Sequence, residues 1–136
     1  EISLPTAASE FGSMIIDEND DTTDDSPAPL NVQNDGNVRV NVSLNSTEIW
    51  ESISGASDYF MAKIRAYIGS ASWGNTSWMQ LPITGAVIIA SDLNYSDASD
   101  SLNLDLNLTV PSSEAPGAKS ANITFLAELS EVYNAA

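Results

Sequence analysis

An acidic run near the N terminus carries the residue types that bind a hard cation. Residues 17–25 read Asp-Glu-Asn-Asp-Asp-Thr-Thr-Asp-Asp, and Ca²⁺ takes several oxygen ligands, often carboxylates close together on a flexible loop. An EF-hand is excluded, because Thr22 stands where its glycine belongs and Ala28 where its bidentate glutamate belongs. Two interpretations remain, a solvated acidic segment or a looser Ca²⁺ site. The candidate ligands of that site are Asp17, Asn19, Asp21 and Asp24.

Six Asn-x-Ser/Thr triplets are the second chemical signal, since this triplet is the acceptor for an N-linked glycan. Several of them lie in segments where apolar and polar residues alternate, as in 38–45 and 102–110. In a strand the two sets point to opposite faces, and the sequon asparagines fall on the polar face, where a glycan needs to be. The alternative is polar strand residues that happen to spell the motif. The predicted glycosylation sites are Asn41, Asn45, Asn75, Asn94, Asn107 and Asn122.

Most catalytic chemistry is excluded by composition. The chain has no cysteine and no histidine, which removes thiol and imidazole catalysis, structural zinc and disulfide bonds. No pair of carboxylates is marked as the acid and base of a glycosidase, so we expect no enzymatic activity. Aromatic side chains that stack on sugars would suit a carbohydrate-binding module, although aromatic residues more often belong to a core. The candidates are Trp50, Trp73, Trp78, Tyr59, Tyr67 and Tyr95.

The charge balance restricts the partners and the compartment. Nineteen acids and four bases give a formal net charge of −15, which argues against nucleic acid and anionic membranes. The longest apolar run, residues 86–90, is far short of the roughly 20 residues of a membrane-spanning helix. With the sequons, this predicts a protein secreted to the cell surface or beyond, with a cleaved signal peptide before Glu1.

The chain divides into three regions. Residues 1–16 are mildly apolar, residues 17–29 form an acidic linker with no apolar side chain larger than alanine, and residues 30–136 form a β domain. Asp35-Gly36 indicates a tight hairpin, and 47–53 is the one place for a short helix. The period-2 pattern predicts strands at 30–34, 37–44, 59–68, 78–82, 86–93, 102–110 and 120–129.

About seven short strands at this spacing predict an all-β fold, a single antiparallel β-sandwich of jelly-roll type, with an extended strand at the N terminus. One core between two sheets is expected to contain Val40, Val42, Leu102, Leu104, Leu106, Leu108, Ile123 and Phe125.

Residues 1–16, which we call the arm, are predicted to be a donor strand that completes a sheet of a neighbouring subunit. The arm is too apolar for a free tail, and the thirteen-residue linker spans up to about 45 Å. Folding back on its own domain is the alternative. The residues expected to be donated are Ile2, Leu4, Phe11, Met14, Ile15 and Ile16.

Two stretches resemble secreted archaeal surface proteins: 30–44, with Asn-Asp-Gly-Asn-Val-Arg-Val-Asn-Val-Ser, and 110–125, with Val-Pro-Ser-Ser-Glu-Ala-Pro-Gly-Ala-Lys-Ser-Ala-Asn-Ile-Thr-Phe. The broader resemblance, over about residues 30–130, is to archaeal bundling pilins and to the TasA/camelysin-type fibre proteins of bacterial biofilms. It implies jelly-roll-like subunits that polymerise by donating an N-terminal strand, and it implies no catalytic residues.

The leading hypothesis is therefore a glycosylated subunit of an extracellular filament in adhesion or biofilm, a head-to-tail polymer of copies of itself. The partners expected are other copies and N-linked glycans, and no cofactor is expected other than Ca²⁺. The alternatives are a monomeric surface module that binds carbohydrate or a protein, and an accessory domain of a hydrolase.

Overall fold

A computed structural model describes residues 1–130, and residues 131–136 of the predicted β domain lie outside this part. The described chain is all-β with two antiparallel sheets, as the sequence predicts, and the described residues form no helix. Its strands are β1 (Ile2–Thr6), β2 (Asn19–Asp21), β3 (Leu30–Asn34), β4 (Val40–Ser46), β5 (Phe60–Ile64), β6 (Trp73–Gly74), β7 (Met79–Gln80), β8 (Val87–Leu93), β9 (Ser101–Thr109) and β10 (Ile123–Leu129). No helix among these residues is long and apolar enough to cross a membrane.

The sheets face each other as a sandwich. Sheet A has the order β1-β3-β9-β5-β7, with β2 paired to the C-terminal half of β9, and sheet B has the order β10-β4-β8-β6. The central strand of sheet A is β9, which pairs with β3 and β2 along one side and β5 along the other. Seven of the ten strands match the seven predicted ones, with boundaries that differ by a few residues.

The core follows the alternation of apolar residues. In β9 the even-numbered leucines 102–108 are all buried, and they meet the valines and Leu44 of β4 across the sandwich. Burial of an aliphatic side chain is worth about 1.5–3 kcal/mol, so these two strands contribute strongly to the cohesion between the sheets. Ile123 and Phe125, at the edge of sheet B, are only partly buried against this core.

The predicted hairpin at Asp35-Gly36 is wrong, because β3 and β4 belong to different sheets. The segment is a corner that carries the chain from one sheet to the other. Its fixed point is Asn34, a fully buried side chain whose Nδ2 donates to Val38 O at 2.9 Å and Leu93 O at 3.1 Å. The β3 edge that a hairpin partner would take is occupied by β1, and a side chain at Gly36 would lie 3.1 Å from Glu1 N.

The predicted helix at 47–53 is also wrong, since this segment is an irregular loop. Thr47 does not cap a helix here: its Oγ1 accepts the backbone N–H of Asn122 at 2.8 Å. The N–H groups of Glu51 and Ser52 donate to the carboxylate of Glu114. A helix would have to give up these bonds, and a helix of seven residues is too short to compensate for them.

Candidate functional site: a groove beside an unpaired strand edge

A groove of about 1020 Å³ opens along one side of the sandwich. Its floor is apolar and includes Phe60 of β5 and Leu106 and Leu108 of β9. One wall is residues 7–16 of the arm, and the facing wall is β10 with the loop 114–122 that leads into it. The groove therefore lies where the two sheets have not closed over their shared core.

The free side of β10 borders this groove. The strand pairs with β4 through seven consecutive residues, and in the described part of the chain no strand pairs with its other side. Such an edge presents a row of unpaired N–H and C=O groups that can accept another strand. Its inward face is apolar as well, since Phe125 packs partly buried against the core and Leu129 is 56% exposed. Both backbone and side chains of β10 are thus suited to strand addition.

The arm lies on its own chain, which corresponds to the alternative of folding back. Residues 2–6 form β1, which pairs with β3 with an irregularity between Ser3 and Thr6. Ile2, Phe11 and Met14 pack partly buried against the core. Leu4 is exposed, and Ile15 and Ile16 are 74% and 52% exposed. Half of the predicted donor residues are therefore in contact with the core, and half face solvent.

Residues 7–14 make no backbone hydrogen bond to any other described residue. The only side-chain contact of this kind is Ser9 Oγ, which donates to Ala28 O at 2.7 Å. From Asp17 onward the chain is fixed, because Asp17 N–H donates to Val110 O at 2.8 Å and Val110 N–H to Glu18 O at 2.9 Å. The loosely held part of the N-terminal region ends at Asp17, where φ is 66°.

The acidic segment 17–29 is not the free linker that the sequence predicts. Thr22 is fully buried, and its Oγ1 donates to Asp105 at 2.7 Å while accepting Leu106 N–H at 2.9 Å. Arg65 closes the arrangement, because its Nη2 contacts Asp105 at 2.8 Å and the Thr22 carbonyl at 2.7 Å. We call Thr22, Arg65 and Asp105 the acidic anchor. Its ion pairs to Asp105 and to Asp25 raise the pKa of Arg65.

A second charged arrangement holds the wall of the groove. The carboxylate of Glu114 accepts Lys119 Nζ at 2.7 Å and, from Ser52, both N–H at 2.9 Å and Oγ–H at 2.6 Å. We call Glu114, Lys119 and Ser52 the wall clamp. The hydrogen bond from Lys119, with those from Ser52 and Glu51, lowers the pKa of Glu114 to about 2, and the same contact raises the pKa of Lys119. The clamp therefore contains a full ion pair at neutral pH.

The sequon asparagines lie on both sheets and in two loops. Asn41 and Asn45 are on the outer face of β4, Asn107 on that of β9, and Asn122 is exposed just before β10. Asn75 and Asn94 directly follow β6 and β8. None of the six is buried.

The candidate calcium ligands are not brought together. Among the residues described, no three acidic, histidine or cysteine side chains converge on a possible ion position. Asn19 Nδ2 contacts Asn107 and Thr109 on β9, whereas Asp21 and Asp24 accept N–H groups within their own turns. The segment is arranged around Arg65, and not around a shared cation position.

The aromatic residues do not form one platform. Trp50 is buried, and its Nε1–H donates to Tyr59 O at 3.0 Å. Trp78 is covered by Lys63, whose Nζ lies 4.8 Å from the ring centroid, whereas Trp73 and Tyr95 are exposed.

The anchor and the clamp were not found from sequence. A signal was available, because the chain has only four basic residues, and two of them, Arg65 and Lys119, pair with buried carboxylates. Because basic residues are few and acidic residues many, each basic residue is itself a signal of a charged cluster. No protein-family model, curated protein or solved structure matches this chain.

Proposed function

We propose that this protein is a structural subunit of an extracellular filament, assembled by strand donation between copies of itself. The observation that carries the proposal is the unpaired edge of β10 beside an apolar groove whose opposite wall is the chain's own loosely held arm. The occupant of the groove is the arm of a second copy.

The first support is complementarity of exposed apolar surface. Large apolar side chains in water mark interaction sites when they cluster, and here they occur on both proposed partners: Ile15 and Ile16 on the arm, and Leu129 on the inward face of β10. Strand addition satisfies the backbone groups of the edge, while alternate side chains of the incoming strand enter the groove. A single contact between the arm and β10 thus buries two apolar surfaces that are exposed to solvent in the isolated chain.

The second support is reach and symmetry. Because the acidic anchor fixes residues from Asp17 onward, the reach comes from the arm, and sixteen extended residues span at most about 55 Å. The arm of one copy and the β10 edge of the next are different surfaces, so the contact is head-to-tail. Such contacts do not close on themselves unless the rotation happens to form a ring, and they generate open filaments.

A reversible lock on the arm tests the proposal with the full chain. Ser3 and Gln33 are paired residues of β1 and β3, at a spacing that suits a disulfide, and the chain has no other cysteine. The double variant Ser3→Cys with Gln33→Cys is expected to stay monomeric when oxidised and to form filaments after reduction, as seen by negative-stain microscopy.

A matched control places the disulfide away from the arm. Met61→Cys with Gln80→Cys joins paired residues of β5 and β7 and should leave filaments unchanged in both redox states. Filaments from the oxidised arm-locked variant would rule out donation of the arm. Particles without filaments from the unmodified protein under all conditions would instead favour the monomeric surface module.

A further inference from the structure

The outer face of sheet B carries an apolar row with sequons around it. Ile88 of β8 and Leu126 of β10 lie opposite Ser43 on either side of β4, and they are 48% and 47% exposed. Asn41 lies on the same face two residues from Ser43, and Asn122 precedes β10 on that face. Exposed apolar side chains in a row on a flat sheet favour association. A group that covers this row would therefore keep the face soluble and unassociated.

The amide of Asn41 is oriented for modification. Its Oδ1 accepts the backbone N–H of Asp92 at 3.0 Å, and no described residue accepts a hydrogen bond from its Nδ2. Asn107 is held in the same way, with Oδ1 accepting from Asn19 Nδ2 at 2.7 Å. Since a glycan is joined to Nδ2, an amide whose nitrogen has no partner among the described residues can take a glycan without losing a contact.

The side chain of Asn122 has no hydrogen bond to any described residue, but its backbone is fixed. Its N–H donates to Thr47 Oγ1 at 2.8 Å, and its carbonyl accepts Thr47 N–H at 3.0 Å. The exposed amide is therefore presented from a rigid position.

In the other three sequons the amide nitrogen donates to a neighbour, and only in Asn45 are both hydrogens engaged. Asn45 Nδ2 donates to Gly85 O at 2.6 Å and to Pro82 O at 3.3 Å, which uses both of its hydrogens. Asn94 Nδ2 donates to Ser99 Oγ at 2.9 Å, and Asn75 Nδ2 lies 3.0 Å from the sulfur of Met79. A glycan at Asn45 would remove one of these two hydrogen bonds, which is worth about 1 kcal/mol, whereas Asn75 and Asn94 each keep a second amide hydrogen.

We infer that Asn41, Asn107 and Asn122 carry N-linked glycans while Asn45 stays bare, and that the glycans at Asn41 and Asn122 cover the row formed by Ile88 and Leu126. This inference rests on the proposed extracellular function, since export exposes the chain to glycan transfer. It makes the outer face of sheet B a solvated, sugar-covered surface, separate from the groove.

The transfer uses an oligosaccharide carried on a lipid phosphate or pyrophosphate. The bond between the anomeric carbon and the phosphate oxygen breaks, and a bond from that carbon to Nδ2 forms. The lipid phosphate leaves, and the net reaction transfers the proton that the amide loses to this leaving phosphate. The free hydrogens of Asn41, Asn107 and Asn122 can be given up without breaking a hydrogen bond within the described chain.

Glycopeptide mass spectrometry of the protein from its native cells tests the choice of sites. Whole sugar units are expected on the peptides of Asn41, Asn107 and Asn122, and none on that of Asn45. Sugar on Asn45 with Asn41 bare would overturn the selection. Filaments built from an unmodified chain would overturn this inference and leave the proposed function standing. A glycosylated chain that never forms filaments would overturn the proposed function and leave this inference standing.

Covering of the apolar row is tested with an apolar fluorescent dye. The unglycosylated chain is expected to bind more dye than native protein, and Ile88→Thr with Leu126→Thr should remove most of that excess. Ile68→Thr is the matched control, because Ile68 is almost fully exposed elsewhere, and it should leave the excess in place. Equal dye binding before and after the double substitution would show that the row is not what the glycans cover.

Discussion

The arm and the acidic segment that follows it are opposite in composition and opposite in how they are held. The arm has six large apolar residues, yet three of them are exposed and residues 7–14 have no backbone partner in the described chain. Residues 17–29 are mostly acidic and polar, yet they contribute a strand to sheet A and a fully buried threonine. Attachment here follows specific polar contacts to β9, and not the apolar content of the segment.

The largest expected difference between the arm and the acidic segment is in their rates of amide hydrogen exchange. The N–H of Thr22 bonds Leu106 O at 3.0 Å and should exchange only with extensive unfolding, whereas the N–H groups of residues 7–14 are open to water. Amides that need global opening are protected by roughly a thousandfold or more over open ones. Exchange of the monomer followed by mass spectrometry or NMR measures this ratio. Similar rates in both segments would contradict the comparison.

The next largest effect is expected on the free energy of unfolding when the buried carboxylate of Asp105 is removed. Asp105 is 1% exposed, and Asp105→Ala leaves Arg65 and Thr22 without their shared partner. Breaking a buried pair in this way costs several kcal/mol, and about 3 kcal/mol is expected here because Arg65 is partly hydrated. Urea denaturation measures it. Asp25→Ala is the control, since that partner of Arg65 is 65% exposed and should cost under about 1 kcal/mol.

Acid should weaken the wall clamp over a defined pH range. The pKa of Glu114 falls from its usual 4.5 to about 2 in the folded chain, so the folded state holds this carboxylate ionised more strongly than the unfolded state does. Its contribution to stability is therefore complete above pH 4.5 and is lost as the pH falls toward about 2. In denaturation midpoints measured across this range, Glu114→Gln should show a smaller loss than the unmodified protein. An identical pH profile would mean that the clamp is not formed.

The smallest effect on the isolated chain is expected at the exposed end of the arm. Ile15→Ser with Ile16→Ser should change the free energy of unfolding of the monomer by only about 0.5 kcal/mol, because both side chains face water. The same variant should assemble poorly if these residues enter the groove of a neighbour. Phe11→Ser is the contrasting variant, since Phe11 packs against the core and its loss should lower the melting temperature of the monomer.

The sandwich itself could be predicted from the sequence because alternation is a local signal. The even-numbered leucines of β9 and the valines of β4 specify both strand and buried face, and the structure places them in one core. Alternation does not specify which strands pair with each other. From sequence, Asp35-Gly36 therefore indicates a hairpin, whereas in the structure it forms a corner between the two sheets.

The remaining errors involve polar contacts between distant residues. β2 is three acidic and amide residues, with no apolar period, and it exists because β9 and Arg65 offer partners more than forty residues away along the chain. The loop at 47–53 is irregular because Glu114, more than sixty residues away, takes its N–H groups. The groove has no sequence signature at all, since it results from where β10 ends sheet B.

The acidic anchor also determines how the subunit would respond to mechanical tension. A pull on the arm reaches the folded domain at Asp17, and three consecutive residues of β2 pair there with β9, the middle strand of its sheet. Arg65 adds a cross-brace, because its guanidinium contacts both the pulled segment at Thr22 and the receiving strand at Asp105. The load is thereby delivered to the central strand of sheet A, through the backbone pairing of β2 and the side-chain contacts of Arg65.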